Sequence, residues 1–209
     1  MSKIYLVRHG KVDGLPALYG RTDITVANKE NERILHQLCA LNIAAEQVIS
    51  SPLTRCLSLA QLYAASVGAS VHRYAALKEM AFGDVDGVCF DELYQDKGRW
   101  QLMEKFWADP VQHSLPNAEL LAGFSYRVVH GWKNVLKQHK DSNSQSTVVV
   151  CHGGVIRMIL AHVLGVDWRN AAWYTNLNIA NGSVTSLSLE NGIISVESIA
   201  VSAQSEKVS

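Results

Sequence analysis

The chain has 209 residues, 48% of them hydrophobic, and its 19 basic residues balance its 19 acidic ones with no block of like charge. That length suits one domain with a core large enough to need neither disulfide nor metal staples, and the charge balance argues against nucleic acid or an anionic membrane surface as the main partner. The four cysteines, Cys39, Cys56, Cys89 and Cys151, match no zinc or redox spacing and read as buried apolar residues of a reducing compartment. No apolar run approaches the length of a signal-peptide core or a membrane span, so the expected location is the cytoplasm.

The chain opens on an apolar run, Ile4-Tyr5-Leu6-Val7, that ends abruptly in Arg8-His9-Gly10. Such a run predicts a buried strand, and its last polar residues emerge at the sheet edge where ligands bind in open α/β folds. Residues 11–25, rich in Gly, Pro and Asp, predict a loop folding back over that edge. A helix is expected over 28–41, with Ile34, Leu35 and Leu38 on one face, and a strand over 47–50. Ser51-Pro52 then predicts a helix start, Ser as N-cap and Pro at the first helical position, which places Arg55 in the first turn.

Residues 70–74 predict a third strand, and 77–87 a loop carrying Glu79, Asp84 and Asp86. The stretch 90–116, dense in aromatics, predicts helix and a candidate lid. A long helix is expected over 118–139, followed by a polar turn over 140–146. Thr147–Cys151 reads as a β-branched central strand that runs into His152-Gly153-Gly154 and an apolar helix over 155–164, so the opening pattern recurs. Segments 182–189 and 193–201 predict a closing hairpin around Asn191-Gly192. The expected organisation is a single domain over 1–201, with 88–116 as the lid segment and a disordered tail over 202–209.

If the sheet is parallel, one edge gathers Arg8, His9, Arg55 and His152, together with the free amides of helix starts at Pro52 and Gly153. Taken singly, each His-Gly strand end is more often an ordinary turn or a satisfied polar residue than a catalyst. Two guanidiniums, two imidazoles and helix amino termini in one crevice suit a tetrahedral dianion. One histidine, neutral on the nitrogen facing phosphorus, would be the nucleophile of a phosphoenzyme, and the other would stabilise the transferring group. Glu79 fits a general acid for the leaving alkoxide, which must hold its proton when substrate is bound; the plain alternative is an ion pair with Lys78 on a solvated loop. The remaining histidines show no metal-ligand spacing, and arginines at the site would repel a divalent cation, so neither metal nor cofactor is expected.

In order and together, five stretches resemble the histidine phosphatase (phosphoglycerate mutase-like) superfamily. They are Leu6-Val7-Arg8-His9-Gly10, Tyr19-Gly20-Arg21-Thr22-Asp23, Ser50-Ser51-Pro52-Leu53-Thr54-Arg55-Cys56, Leu77-Lys78-Glu79-Met80-Ala81-Phe82-Gly83 and Cys151-His152-Gly153-Gly154-Val155-Ile156-Arg157. The resemblance implies a three-layer α/β/α sandwich with a mostly parallel sheet. It also implies His9 as nucleophile, Arg8, Arg55, His152 and Gly153 around the phosphate, and Glu79 as proton donor. The chain departs from the usual pattern at Lys11-Val12, Thr25-Val26-Ala27, Val85-Asp86 and Ala118-Glu119-Leu120. Within the superfamily it looks most like the α-ribazole phosphatases of the cobalamin pathway. Trp100, Phe106, Trp107 and Tyr174 are then candidates to stack a benzimidazole, or else plain core. Arg21, Lys11 and Asn178 are further candidates for substrate contacts at the mouth.

Three activities follow: a phosphomonoesterase acting on a small phosphate ester, a mutase that passes the phosphoryl group to another hydroxyl, and a phosphate-binding regulatory module without turnover. The shortness of the chain argues against the mutase. The full set of Arg8, His9, Arg55, Glu79 and His152 argues against the binder.

Overall fold

A computed structural model describes residues 1–202; residues 203–209, and with them nearly all of the expected tail, lie outside the described part. Six strands form one sheet in the order β3-β2-β4-β1-β5-β6: β1 Ser2–Arg8, β2 Gln47–Ser50, β3 Val71–Arg73, β4 Ser146–Cys151, β5 Val184–Glu190 and β6 Ile193–Val201. β1, β2, β3 and β4 run parallel, and β5 and β6 are antiparallel additions at one side. The hairpin turn is the expected one, with Asn191 and Gly192 both at positive φ, 51° and 83°.

The period-2 alternation of the strands divides the core into two layers. Ile4, Leu6, Ile49, Val149 and Cys151 face helices α5 (Leu121–Asp141) and α6 (Gly153–Leu164), through Phe124, Val128, Trp132, Ile156 and Ile159. Val7, Val48, Val148 and Val150 face α1 (Asn28–Ala40) and α2 (Thr54–Val67), through Ile34, Leu38, Leu59 and Tyr63. The result is the expected three-layer sandwich. β1 and β4 are neighbours in register, Arg8 opposite Cys151, yet their following helices leave to opposite faces. That divergence opens a crevice beyond their carboxyl ends, the position where open α/β sheets bind ligands.

Three sequence expectations need correction. α2 begins at Thr54 with Leu53 as its N-cap, so Ser51 and Pro52 lie outside it. Two distant groups explain this: the Asp23 carboxylate accepts from the Thr54 backbone N–H at 2.8 Å and from its hydroxyl at 2.7 Å, capping the helix from another loop, while Ser51 is engaged by His152. α5 begins at Leu121 because Glu119 pairs its backbone N–H with Ala81 O at 2.9 Å and its side chain with Arg127. Cys39 is exposed and Cys89 half-buried; only Cys56 and Cys151 are buried. The buried stripe of α1 runs through Asn31, Ile34 and Leu38, and Cys39 falls off it.

The aromatic stretch folds as α3 (Phe90–Gln95) and α4 (Lys97–Ala108), and a short helix α7 (Ala172–Thr175) that sequence periodicity does not reveal follows α6. Among the described residues, no helix is long and apolar enough to cross a membrane.

Candidate active site

His9 sits one residue past β1 and is 7% exposed. Its Nδ1 lies 2.7 Å from the carbonyl of Gly10, and a carbonyl can only accept, so Nδ1 carries the proton and Nε2 keeps its lone pair. Asn181 Nδ2 holds that arrangement from behind, donating to His9 O and Gly10 O at 3.3 and 3.2 Å. Burial, then the Arg55 and Arg8 charges, push the imidazole down to about 3, so it is neutral at physiological pH.

His152 caps β4 and leads into α6, its ring centroid 5.1 Å from that of His9 at 67°. Its Nδ1 accepts from Arg55 Nε at 3.3 Å, which leaves Nε2–H to donate to Ser51 Oγ at 2.8 Å. The two histidines are therefore opposite tautomers. Burial first, then His9, Arg55 and Arg8, hold His152 well below its ordinary value.

Arg55 is fully buried, and its remaining donors go to the carbonyls of Thr22, Tyr19 and Gly20 at 3.0, 2.8 and 2.9 Å. It thus ties the loop after β1 to the floor of the site. Asp86 grips the same loop, accepting from the backbone N–H groups of Gly20, Arg21, Thr22 and Phe82 at 2.8 to 3.2 Å. Burial works to raise the Asp86 carboxyl, but these donors outweigh it and hold it below the ordinary carboxylate value. Asp86 is therefore a loop organiser and not an acid, and Asp84 is occupied by Asn117 Nδ2 at 2.9 Å. Replacing Arg55 with Met should lower stability by about 2–3 kcal/mol through loss of these charge-assisted bonds, readable in urea unfolding; an unchanged midpoint would contradict this role.

Arg8 lies against Gly153, where a β-carbon would stand 3.3 Å from its guanidinium. One terminal nitrogen donates to Ile179 O, while Nε is buried with no partner among the described residues. A buried donor without an acceptor is costly, and an anionic ligand oxygen in this crevice would satisfy it. Glu79 faces the same place, accepting from Gly154 N at 3.1 Å and Met80 N at 3.0 Å. A β-carbon at Gly154 would come within 2.4 Å of the Glu79 carboxylate, so a larger residue there would push Glu79 out of its place. Arg127 pins the Glu79 loop by donating to the carbonyls of Ala76, Lys78 and Glu79, while Glu119 clamps Arg127 at 2.7 Å.

Arg8, His9, Lys11, Glu79 and Gly153 line one cavity of about 560 Å³, with Arg55 and His152 buried beneath it. Arg21 is exposed and does not line it, and neither does Asn178; Asn181, three residues on, does. Of the four aromatic candidates, Phe106, Trp107 and Tyr174 line the cavity and Trp100 does not. Arg157, which closes the fifth of the resembling stretches but has no expected role there, also lines it, anchored by Nε and Nη2 on Leu177 O at 3.2 and 2.8 Å. Among the described residues, no group of three or more His, Cys, Asp or Glu side chains could hold a metal ion.

Over residues 4–202 the chain matches the pattern of the histidine phosphatase superfamily, branch 1. The chain belongs to that superfamily. A protein of Hydrogenobacter thermophilus provisionally named phosphoserine phosphatase 2 is 27% identical over 203 residues, 91% of each chain. Among solved structures, Bacillus stearothermophilus YhfR superposes with a TM-score of 0.82 at 20% identity, over 97% of this chain and 98% of that one. The α-ribazole phosphatase of Shigella flexneri gives 0.74 at 23% identity, over 95% and 96%. As a histidine phosphatase fold, the domain carries His9 and His152 at the ends of its two adjacent central strands.

The two neutral buried histidines make stability fall in acid. An unfolded histidine titrates near 6.5 while the folded His9 titrates near 3, so between those values the unfolded chain binds more protons. Stability is full above about pH 7 and should fall by roughly 1.4 kcal/mol per pH unit per histidine below about pH 6. Melting temperatures across that window should drop, with a shallower slope in His9→Asn; parallel slopes would contradict this.

Proposed function

We propose that this histidine phosphatase domain is a cofactor-free phosphomonoesterase that works through a phosphohistidine at His9. The observation that carries the reading is a neutral histidine whose Nε2 lone pair is fixed by the Nδ1–H bond to Gly10, beside a buried and unpartnered Arg8 Nε. Nε2 attacks phosphorus, the ester P–O bond breaks, and the departing alkoxide takes a proton from Glu79. Glu79, now a carboxylate, takes a proton from water as that water attacks the phosphohistidine, releasing phosphate and restoring His9. Arg8 and the amino terminus of α6 offset the charge of the transferring group. His152 and Arg55 act mainly as the support that keeps the floor in place.

The finer candidate substrate is α-ribazole 5′-phosphate, supported by the likeness in fold to the Shigella flexneri enzyme and by the aromatic wall of Phe106, Trp107 and Tyr174. The name of the Hydrogenobacter thermophilus relative makes phosphoserine the natural comparison. The free thiols suit a reducing cytoplasm, and the partner is a small phosphate ester. Turnover of α-ribazole 5′-phosphate should be measured against sugar phosphates, phosphoserine and phosphoglycerate, with inorganic phosphate as competitor. Hydrolysis inhibited by phosphate supports the phosphatase; transfer to an acceptor hydroxyl instead of water would mark a mutase, and binding without turnover a regulatory module.

A further inference from the structure

The reacting groups are only a few of the residues lining the cavity, whose volume of about 560 Å³ lies in the range that holds drug-sized ligands. The cations lining it are Arg8, Lys11 and Arg157. Arg8 belongs to the phosphate. Arg157 has Nε and Nη2 committed to Leu177 O, which leaves its Nη1 and the exposed Lys11 at the rim as the cationic donors for any second anion. Among the described residues, the one acidic side chain in the lining is Glu79, the proton donor to the leaving alkoxide.

The other walls are uncharged. Leu15 and Leu18 come from the loop after β1, Phe106 and Trp107 from α4, Phe124 from α5 and Tyr174 from α7. Leu15 is 65% exposed and Trp107 38%, so an apolar ligand at the mouth would cover surface that the fold leaves in water. These walls are held in place by the protein itself. Trp107 stacks edge-on with Phe90 and Trp100 at 5.4 and 5.5 Å. The loop is stitched to the segment before α3 by Gly87 N to Leu18 O at 2.8 Å and Phe90 N to Pro16 O at 2.9 Å, and Tyr19 donates to Leu15 O at 2.7 Å.

We infer that the leaving alcohol this site prefers carries a ring-sized apolar group, and that the cavity favours such phosphate esters over those of small polar alcohols. This rests on the phosphomonoesterase reading for its chemistry but on the walls for its selectivity. An apolar group gains by leaving water against these walls, whereas a small polar leaving group gains nothing from them.

The test compares kcat/KM for two alkyl phosphates of similar leaving-group reactivity, phenethyl phosphate and O-phosphoserine. Phenethyl phosphate should be preferred by about 10²-fold or more. Trp107→Ala, and independently Leu15→Ser, should each narrow that ratio by about tenfold, mainly through KM. Equal turnover, or a preference for phosphoserine, overturns the inference and leaves the phosphatase standing. Calorimetric binding of phenethylphosphonate and carboxyethylphosphonate to the intact protein separates the two claims. If no ester is hydrolysed but phenethylphosphonate still binds more tightly, the hydrolytic reading falls and the selectivity stands; if carboxyethylphosphonate binds as tightly, the selectivity falls.

Discussion

His9→Ala lowers kcat/KM for phosphate-ester hydrolysis by roughly 10⁴-fold or more, because the bond-forming nitrogen goes and no neighbour can replace it. His152 is the nearest imidazole, but both its nitrogens are engaged, Nδ1 by Arg55 and Nε2 by Ser51, and it lies buried under the cavity floor. The loss should appear in kcat for aryl and alkyl esters alike, since both must form the phosphohistidine. The protein should stay folded and still bind inorganic phosphate, because Arg8 and the α6 terminus remain. Hydrolysis within tenfold of the parent by folded His9→Ala protein would remove His9 from the mechanism.

Glu79→Gln should cost about 10²- to 10⁴-fold for alkyl phosphates and much less for p-nitrophenyl phosphate, whose leaving group departs without a proton. Gln is isosteric and can still accept one of the two backbone N–H bonds that hold Glu79, so the loop should survive the change. The discriminating readout is the ratio of alkyl to aryl activity. A uniform loss on both would mean that Glu79 serves only to order the loop, and no loss on either would end its role as acid. Because Arg127 and Glu119 clamp the Glu79 carbonyl and its neighbours, Arg127→Met should shift the same ratio in the same direction by a smaller factor.

Whatever depends on local pattern is legible in the sequence. An apolar run that breaks into Arg-His-Gly marks a strand end, and its recurrence at Cys151-His152-Gly153 marks a second, so the pattern alone pairs the two histidines. The asparagine-glycine turn and the long amphipathic helix are legible for the same reason. The misreadings involve groups that meet only through the fold. Ser51-Pro52 looks like a helix cap, but Ser51 serves His152 and Asp23 does the capping from a loop 31 residues away. The sequence points to Asn178, whereas Asn181 holds the His9 carbonyl; the signal for the latter is its place beside Gly182 in the turn before β5.

Arg55 illustrates the same limit in another way. Its type and position point to phosphate, and it does lie at the site, yet its donors are taken by three loop carbonyls and a histidine. Sequence tells which charge is present; only the fold tells what already satisfies it. The orphaned donor turns out to belong to Arg8.

The central claim is that phosphate passes through His9. It is tested most directly by mixing the protein with a radiolabelled phosphate ester, quenching within one turnover in alkali and mapping the label by peptide mass spectrometry. The account predicts an acid-labile, base-stable phosphoryl group on the peptide containing His9, formed and discharged at rates that match steady-state turnover. Product release under the same conditions with no label on His9 at any time point, or label on another residue, would contradict it.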